Sequence, residues 1–178
     1  PLRSVSIMSA RQQGEVEMMH HSCIDAGAVR FNLFHESVEY WAQETPEAIA
    51  LIAANETLTY RELNEQANRI AHALIAKGVA PGDRVCLLLP RTSRHIIAMF
   101  GVMKAGAAYI PCDPEYPTDR IKLITEDSHS RYIITTQDKL ADYDNSAIDV
   151  ETLLASTFPE TSSNPSLPIA SSALAYLI

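Results

Sequence analysis

Two glycines with a lysine between them, Gly101, Lys104 and Gly106, are residues whose types and spacing suggest phosphate chemistry. A Walker phosphate loop has the pattern G-x-x-x-x-G-K-[ST] and opens a helix, where free backbone N–H groups bind phosphate. The two glycines have this spacing, but Ala107 and Ala108 stand where the lysine and the hydroxyl residue belong. The glycines also lie at the predicted end of a helix. We therefore interpret Gly106 as the left-handed residue that ends this helix, and not as a phosphate ligand.

Metal and general-base chemistry have weaker candidates among the histidines. The run HHSC, which includes His20 and Cys23, resembles half of a metal site, with Asp25 nearby. No second half with Cys/His spacing follows it, so we interpret the run as a solvated helix end. His72 and His95 stand singly in predicted helices, where a histidine is more often a surface or satisfied core residue than a catalyst.

Three acidic residues, Asp113, Glu115 and Asp119, cluster around two prolines. Their position between a predicted strand and a predicted helix favours loop and helix-cap roles. The dinucleotide pattern G-x-G-x-x-G is absent, and no serine stands in the nucleophile pattern G-x-S-x-G. The residues alone therefore predict no catalytic, no cofactor-binding and no metal-binding position in this chain.

The acidic composition narrows the class of partner. A net charge of -8 without a basic stripe argues against nucleic-acid binding, because nothing neutralises the phosphates. The sequence shows no secretory signal. The most apolar stretch, residues 96–112, contains Lys104 and Pro111 and is shorter than the roughly 20 residues that a membrane span needs. We expect no nucleic-acid partner and no membrane association.

Three cysteines, Cys23, Cys86 and Cys112, are an odd number at wide spacing. This arrangement is typical of reduced thiols and predicts a cytoplasmic protein without a disulfide framework. Cys86 and Cys112 lie in apolar surroundings, where we expect them to be small core residues.

Helical and strand patterns alternate along the chain and predict an α/β fold with a parallel sheet flanked by helices. The helix that begins at Thr59 has both ends marked, because Thr59 and Glu62 form a capping box and Lys77-Gly78 is a stop signal. Three apolar runs without alternation predict parallel strands that are buried on both faces. These strands are predicted at residues 84–89, 107–111 and 131–135, and a weaker strand is predicted at 147–150. A small hairpin is predicted at 48–59. Further helices are predicted at 34–45, at 92–105 and from residue 118 onward.

The chain divides at about residue 30. Residues 1–30 show little periodic pattern, and we interpret them as an interdomain linker that precedes the α/β domain at residues 31–178. Residues 159–172 are rich in Ser and Pro and predict an exposed loop, whereas the run ALAYLI at 173–178 predicts another strand. Because the chain begins at Pro1 and stops within this run, we interpret it as part of a longer polypeptide.

Two segments, LTYRELNEQANRIAHAL and MKAGAAYIPCDPEYPTDRI, resemble the first two core motifs of adenylation domains in nonribosomal peptide synthetases, which belong to the adenylate-forming superfamily. Those motifs read approximately L-[TS]-Y-x-E-L and L-K-A-G-x-A-Y-[VL]-P-[LI]-D. The residues that match the first motif are Leu58, Thr59, Tyr60, Glu62 and Leu63. Those that match the second are Met103, Lys104, Ala105, Gly106, Ala108, Tyr109, Ile110, Pro111, Cys112 and Asp113, with Met103 and Cys112 as mild apolar departures.

The resemblance runs from about Phe34 to Ile178. The start LRSVSIMSARQQ is similar to the linker that joins a condensation domain to an adenylation domain. The run ALAYLI resembles the lead-in to the third motif of the family, a Lys-containing loop that binds the phosphates of ATP. The resemblance therefore implies the N-terminal part of the large subdomain of an adenylation domain, truncated before the phosphate-binding loop.

The resemblance also implies an activity for the parent protein. Such domains use ATP and Mg²⁺ to convert an amino acid into an aminoacyl adenylate, and they load it on the phosphopantetheine thiol of a carrier protein. The implied partners are the neighbouring condensation and carrier-protein domains and an MbtH-like protein. The ATP, substrate-pocket and catalytic-lysine motifs of the family lie downstream. No site residue is therefore carried onto this chain, and we expect the 178-residue piece alone to bind no cofactor and to be inactive.

Two alternatives remain open. An acyl- or aryl-CoA synthetase shares the superfamily fold and the first half-reaction, although the stretch AYIPCDPEYP favours the peptide synthetase. A non-catalytic module that contacts neighbouring domains is the other alternative. The sequence does not identify the amino acid, because the pocket residues of the family lie outside it.

Overall fold

The computed structural model describes residues 31–54, 56–143, 146–157 and 163–178. The predicted linker at residues 1–30 and the HHSC run with Asp25 therefore lie outside the described residues. In chain order the elements are α1 (Phe34–Glu44), β1 (Ile49–Ile52), β2 (Thr57–Thr59), α2 (Tyr60–Ala76), β3 (Arg84–Leu87), α3 (Ser93–Lys104), β4 (Ala108–Pro111), α4 (Thr118–Asp127), β5 (Tyr132–Thr135), a 3₁₀ helix (Gln137–Asp142), β6 (Ala147–Asp149) and α5 (Val150–Ala155).

A four-stranded sheet forms the centre of the fold, with the strand order β4-β3-β5-β6. All neighbouring strands in it are parallel, and Val85 of β3 pairs with Tyr109 on one side and with Tyr132 on the other. The three predicted parallel strands are thus confirmed, and the weaker run at 147–150 supplies the fourth. Because β3 lies inside the sheet, consecutive strands add first to one side of it and then to the other.

Helices cover both faces of the sheet, which explains why apolar and polar residues do not alternate along β3. Val85 and Leu87 point into the larger core, together with buried residues of α2, α3 and α5. Cys86 and Leu88 point into a smaller core, which α4 closes with Ile121. Leu123, on the same helix, is 65% exposed, so α4 contributes only a narrow apolar face.

The predicted capping box of α2 is present. The Thr59 hydroxyl accepts a hydrogen bond from the Glu62 N–H at 3.3 Å, and the Glu62 carboxylate accepts one from the Thr59 N–H at 2.8 Å. These bonds to Thr59 lower the pKa of Glu62. The buried face of α2 includes the apolar residues Leu63, Ala67, Ile70, Ala71 and Leu74.

The predicted hairpin is the antiparallel pair β1 and β2. The predicted strand in ALAYLI is wrong as a full strand, because the segment makes only one parallel bridge, between Tyr176 and Tyr109 of β4. Tyr109 N–H donates to Ala175 O at 3.1 Å, and Leu177 N–H donates to Tyr109 O at 3.0 Å. The next donor along this edge would be Pro111, which has no N–H, so the ladder stops.

Among the described helices, none combines the length and the apolar character that a membrane span requires.

Candidate functional site

The carboxyl end of the parallel sheet is the place where this topology favours a ligand site. Open α/β sheets bind ligands outside the carboxyl ends of strands, where successive connections leave in opposite directions. Here the connection from β3 leads to β4 and the connection from β5 leads to β6 on the opposite side, so the two diverge between β3 and β5. An open cavity of about 530 Å³ adjoins this point on the β4 side, at the ends of β3 and β4. Its lining residues are Leu89, Pro90, Arg91, His95, Pro111, Cys112, Asp113, Pro114, Glu115 and Tyr116.

Four side chains with a charged group or an imidazole ring line this cavity: Arg91, His95, Asp113 and Glu115. The structure gives two of them local structural contacts. Asp113 Oδ1 accepts a hydrogen bond from the Glu115 N–H at 2.9 Å, which confirms the predicted loop role of Asp113. His95 Nδ1 lies 3.3 Å from Leu89 O, so one ring nitrogen is used to fix the start of α3. The cavity can hold a polar ligand, but these contacts assign no reaction to it.

The remaining sequence candidates lie elsewhere. Asp119 is in the first turn of α4, where an acidic residue complements the helix dipole. The predicted cap role of Asp119 is wrong, because the N-cap is Pro117 and no side chain forms a cap hydrogen bond there. His72 Nε2 lies 2.9 Å from Ser163 O, and neither residue lines the cavity at the ends of β3 and β4. Within the residues that the structure describes, no group of three or more His, Cys, Asp or Glu side chains is arranged to hold a metal ion.

Gly101 and Gly106 do not form a phosphate cradle. Gly106 has φ +79°, and its N–H donates to Met103 O at 3.0 Å, so it ends α3 in the left-handed conformation as predicted. A Cβ at Gly106 would lie 3.0 Å from the Cα of Pro81. The phosphates of ATP require free N–H groups at a helix start, whereas these glycines lie in and beyond the last turn of a helix. Gly101 and Gly106 therefore do not fit the phosphate part of ATP.

Gly101 has a packing role that the sequence analysis missed. A Cβ at this position would lie 2.5 Å from Ile70 Cγ2 and 3.1 Å from Ala67 O, so α2 and α3 approach each other closely at this glycine. A glycine in the middle of an amphipathic helix pattern is the signal that could have indicated this contact.

Lys104 is a buried charge at the end of α3, which the sequence analysis also missed. Its side chain is 0% exposed, and its Nζ lies 2.5 Å from the carboxylate of Glu39, which is 21% exposed. Nζ also donates to Asn164 Oδ1 at 3.1 Å. Burial lowers the pKa of Lys104, and the Glu39 carboxylate opposes that shift. The signal in the sequence is a lone lysine inside an otherwise apolar run.

His35 lies beside this ion pair and is buried. Burial lowers its pKa from the ordinary value of 6.5, and the charges of Glu39, Lys104 and Glu36 act on it as well. Since the unfolded chain binds the proton more readily, stability is fully present above about pH 6.5 and falls as the pH drops through and below that value. We expect the thermal unfolding midpoint to fall between about pH 7.5 and 5.5, and His35→Gln to reduce this slope.

The matched control for His35 is His129→Asn at an exposed histidine, because asparagine tolerates its φ of 54°. This control should leave the pH slope of the unfolding midpoint unchanged. A His35→Gln slope equal to that of the unmodified protein would show that His35 does not carry the acid sensitivity.

The two described cysteines, Cys86 and Cys112, are buried free thiols, which confirms the prediction that they are core residues. A hydrogen bond with Cys112, together with burial, raises the pKa of the Cys86 thiol. Cys86 therefore stays protonated at neutral pH and behaves as a small core residue.

Comparison with known proteins gives a family match over most of the chain. The family model described as "AMP-binding enzyme" matches residues 38–175. A dimodular nonribosomal peptide synthase of Bacillus subtilis (strain 168) is 50% identical over 94 residues, which are 53% of this chain and 4% of that protein. The chain spans about 2% to 6% of the length of curated relatives of this kind.

Solved structures share the fold. A crystal structure of the nonribosomal peptide synthetase FmoA3 with bound alpha-methyl-L-serine-AMP has a TM-score of 0.75 and 27% identity, covering 82% of this chain and 16% of that one. The O-succinylbenzoate coenzyme A synthetase of Bacillus subtilis, in complex with AMP, has a TM-score of 0.63 and 28% identity. That match covers 67% of this chain and 32% of the synthetase.

Proposed function

The chain belongs to the family of AMP-binding enzymes, and from this premise we propose that it is the N-terminal part of an adenylation domain in a nonribosomal peptide synthetase. The parent protein activates an amino acid with ATP and Mg²⁺ to an aminoacyl-AMP and loads it on a carrier-protein phosphopantetheine thiol. The proposed partners are the adjoining condensation and carrier domains and an MbtH-like protein, in the cytoplasm. Residues 1–30 are proposed to be the linker from the preceding domain.

The observation that carries this proposal is the 50% identity over 94 residues to a nonribosomal peptide synthase. The segment that resembles the second family motif, MKAGAAYIPCDPEYP, forms one continuous structural unit. It supplies the end of α3, strand β4 and the loop that lines the cavity at the ends of β3 and β4.

We propose that this chain supplies scaffold and that the reacting groups lie in sequence beyond Ile178. Two observations support this proposal: the Gly106 N–H donates to Met103 O, and Gly101 and Gly106 lie in and after the last turn of α3 rather than at the start of a helix. ATP bound to the parent would supply the adenylyl group, and Mg²⁺ would neutralise its phosphates. The residues of this chain would hold the parallel sheet that supports that site.

An acyl- or aryl-CoA synthetase is the second candidate, since a coenzyme A synthetase shares the fold with a TM-score of 0.63. Both candidates begin by forming an acyl adenylate, but only the synthetase of coenzyme A thioesters consumes coenzyme A. A non-catalytic interaction module is the third candidate, and it predicts no adenylate formation by the complete polypeptide.

The test is amino-acid-dependent exchange between pyrophosphate and ATP, screened over the common amino acids. We expect the complete polypeptide to catalyse exchange with at least one amino acid, and the purified 178-residue chain to show none above background. Exchange by the 178-residue chain alone would place the active site within it. Exchange that depends on an aliphatic or aromatic acid, followed by coenzyme A consumption, would favour the second candidate.

A further inference from the structure

The last described part of the chain, residues 163–178, is named here the C-terminal segment. None of its residues is fully buried, although Leu177 packs against the smaller core and the ring of Tyr176 lies against that of Tyr109. It is attached to the domain near each end. The bridge between Tyr176 and Tyr109 holds the far end, and side chains of α2 and α3 hold Ser163 and Asn164 at the near end.

Asn164 is the centre of the near attachment. Its Oδ1 accepts hydrogen bonds from Asn64 Nδ2 at 2.9 Å, from Asn68 Nδ2 at 3.1 Å and from Lys104 Nζ at 3.1 Å. One of these donors is a charged group, and hydrogen bonds to charged groups are stronger than neutral ones. The three donors come from two helices, so Asn164 is fixed relative to both.

The burial of Lys104 makes this contact specific. Its side chain is fully buried, and water therefore does not compete with Asn164 for the ammonium group. Glu39 balances the charge, which orients Nζ between the carboxylate and the amide oxygen. An apolar side chain of similar length would fill the same space but would not attach the segment.

We propose that Lys104, held by Glu39, is a positioning residue that anchors the C-terminal segment through Asn164. This inference rests on the proposed function for its consequence, because the segment would then lead directly into the phosphate-binding loop of the parent enzyme. Lys104 itself does not touch the nucleotide. Its loss should loosen the segment and weaken the binding of ATP more than the binding of the amino acid.

The experiment uses the complete polypeptide with Lys104→Met, Asn164→Ala and the double variant. Methionine fills the space of the lysine stem, and Glu39 is accessible enough to be hydrated when its partner is lost. Lys77→Met is the matched control, since Lys77 follows the end of α2 with an exposed side chain. Asn164→Asp is the conservative variant, because it keeps an oxygen that accepts from Lys104.

Two readouts are needed, namely amide hydrogen exchange of the C-terminal segment and the apparent KM values for ATP and for the amino acid. In Lys104→Met and Asn164→Ala we expect the amides of the segment to exchange about tenfold faster, whereas amides of α2 and α3 are unchanged. The KM for ATP should rise several-fold, with a smaller change for the amino acid. The double variant should match the single ones, and Asn164→Asp and Lys77→Met should stay near the unmodified protein.

Other outcomes would overturn the proposal. Unchanged exchange in the segment would show that Lys104 does not anchor it, and equally faster exchange in every element would reduce its role to general stability. Faster exchange with an unchanged KM for ATP would remove the positioning role. If the unmodified polypeptide activates no amino acid, the proposed function fails, and hydrogen exchange still decides whether Lys104 anchors the segment.

Discussion

Gly101→Ala is expected to lower the free energy of unfolding by about 2 kcal/mol, even though alanine is the better helix former. The gain in helix propensity is about 1 kcal/mol. Against it stands a new methyl group 2.5 Å from Ile70 Cγ2 and 2.6 Å from Ile70 Cβ. Because the Cβ of Ile70 and the Ala67 carbonyl are fixed by α2, the two helices must move apart. Overpacking at so short a distance costs about 3 kcal/mol, the upper end of the usual range, which leaves a net loss of about 2 kcal/mol.

Thermal unfolding of the variant measures this effect as a lower midpoint, and Gly101→Val should lower the midpoint further. Gly82→Ala is the matched control, because nothing lies within 4 Å of a Cβ built at Gly82. Its φ of +93° still costs alanine about 1 kcal/mol through the backbone. A Gly101→Ala variant that is more stable than Gly82→Ala would show that the contact between α2 and α3 is loose.

Gly106→Val is expected to lower the unfolding midpoint or the soluble yield of the parent enzyme and to leave its apparent affinity for ATP near normal. Two costs add at this position. The φ of +79° costs a residue with a Cβ on the order of 1 kcal/mol, and more for a β-branched one. The new Cβ would also lie 3.0 Å from Pro81 Cα, which belongs to the backbone and cannot swing away.

Gly106→Ala separates these contributions, since it adds the Cβ without branching and should be less destabilising than valine. ATP affinity is measured on the folded fraction by the dependence of pyrophosphate exchange on ATP concentration. Unchanged stability together with a collapse of ATP affinity would identify Gly106 as a ligand-binding glycine and would restore the phosphate-loop hypothesis.

Local signals explain why much of the fold could be predicted from the sequence. The start of α2 depends on Thr59 and Glu62, which are three residues apart, and the end of α3 depends on the conformation of Gly106 alone. The parallel strands follow from apolar runs whose two faces are both covered. Each of these features is decided within a few residues of chain, where spacing and residue type are informative.

The features that were missed depend on residues far apart in the chain. Asn164 lies 100 positions from Asn64 and 60 from Lys104. No periodicity connects such residues, so the buried Lys104 could not be assigned a partner. The close approach of α2 at Gly101 likewise depends on which residue of the other helix faces the glycine. The prediction that no catalytic, cofactor-binding or metal-binding residue lies in this chain stays a prediction.

The central position of β3 in the sheet has a consequence for the protein during its synthesis. Both neighbours of β3 are made after it, and the first of them, β4, is complete only at Pro111. A nascent chain that has emerged from the ribosome only as far as α3 exposes β3 with both edges unpaired, which is a template for wrong pairing with other chains. The helices α2 and α3 precede β4 in the chain, so they are available to cover one face of β3 before a strand pairs with it. We therefore infer that a translational pause at this stage of emergence would promote aggregation, whereas a pause after β5 has emerged, when both edges of β3 have partners, would not.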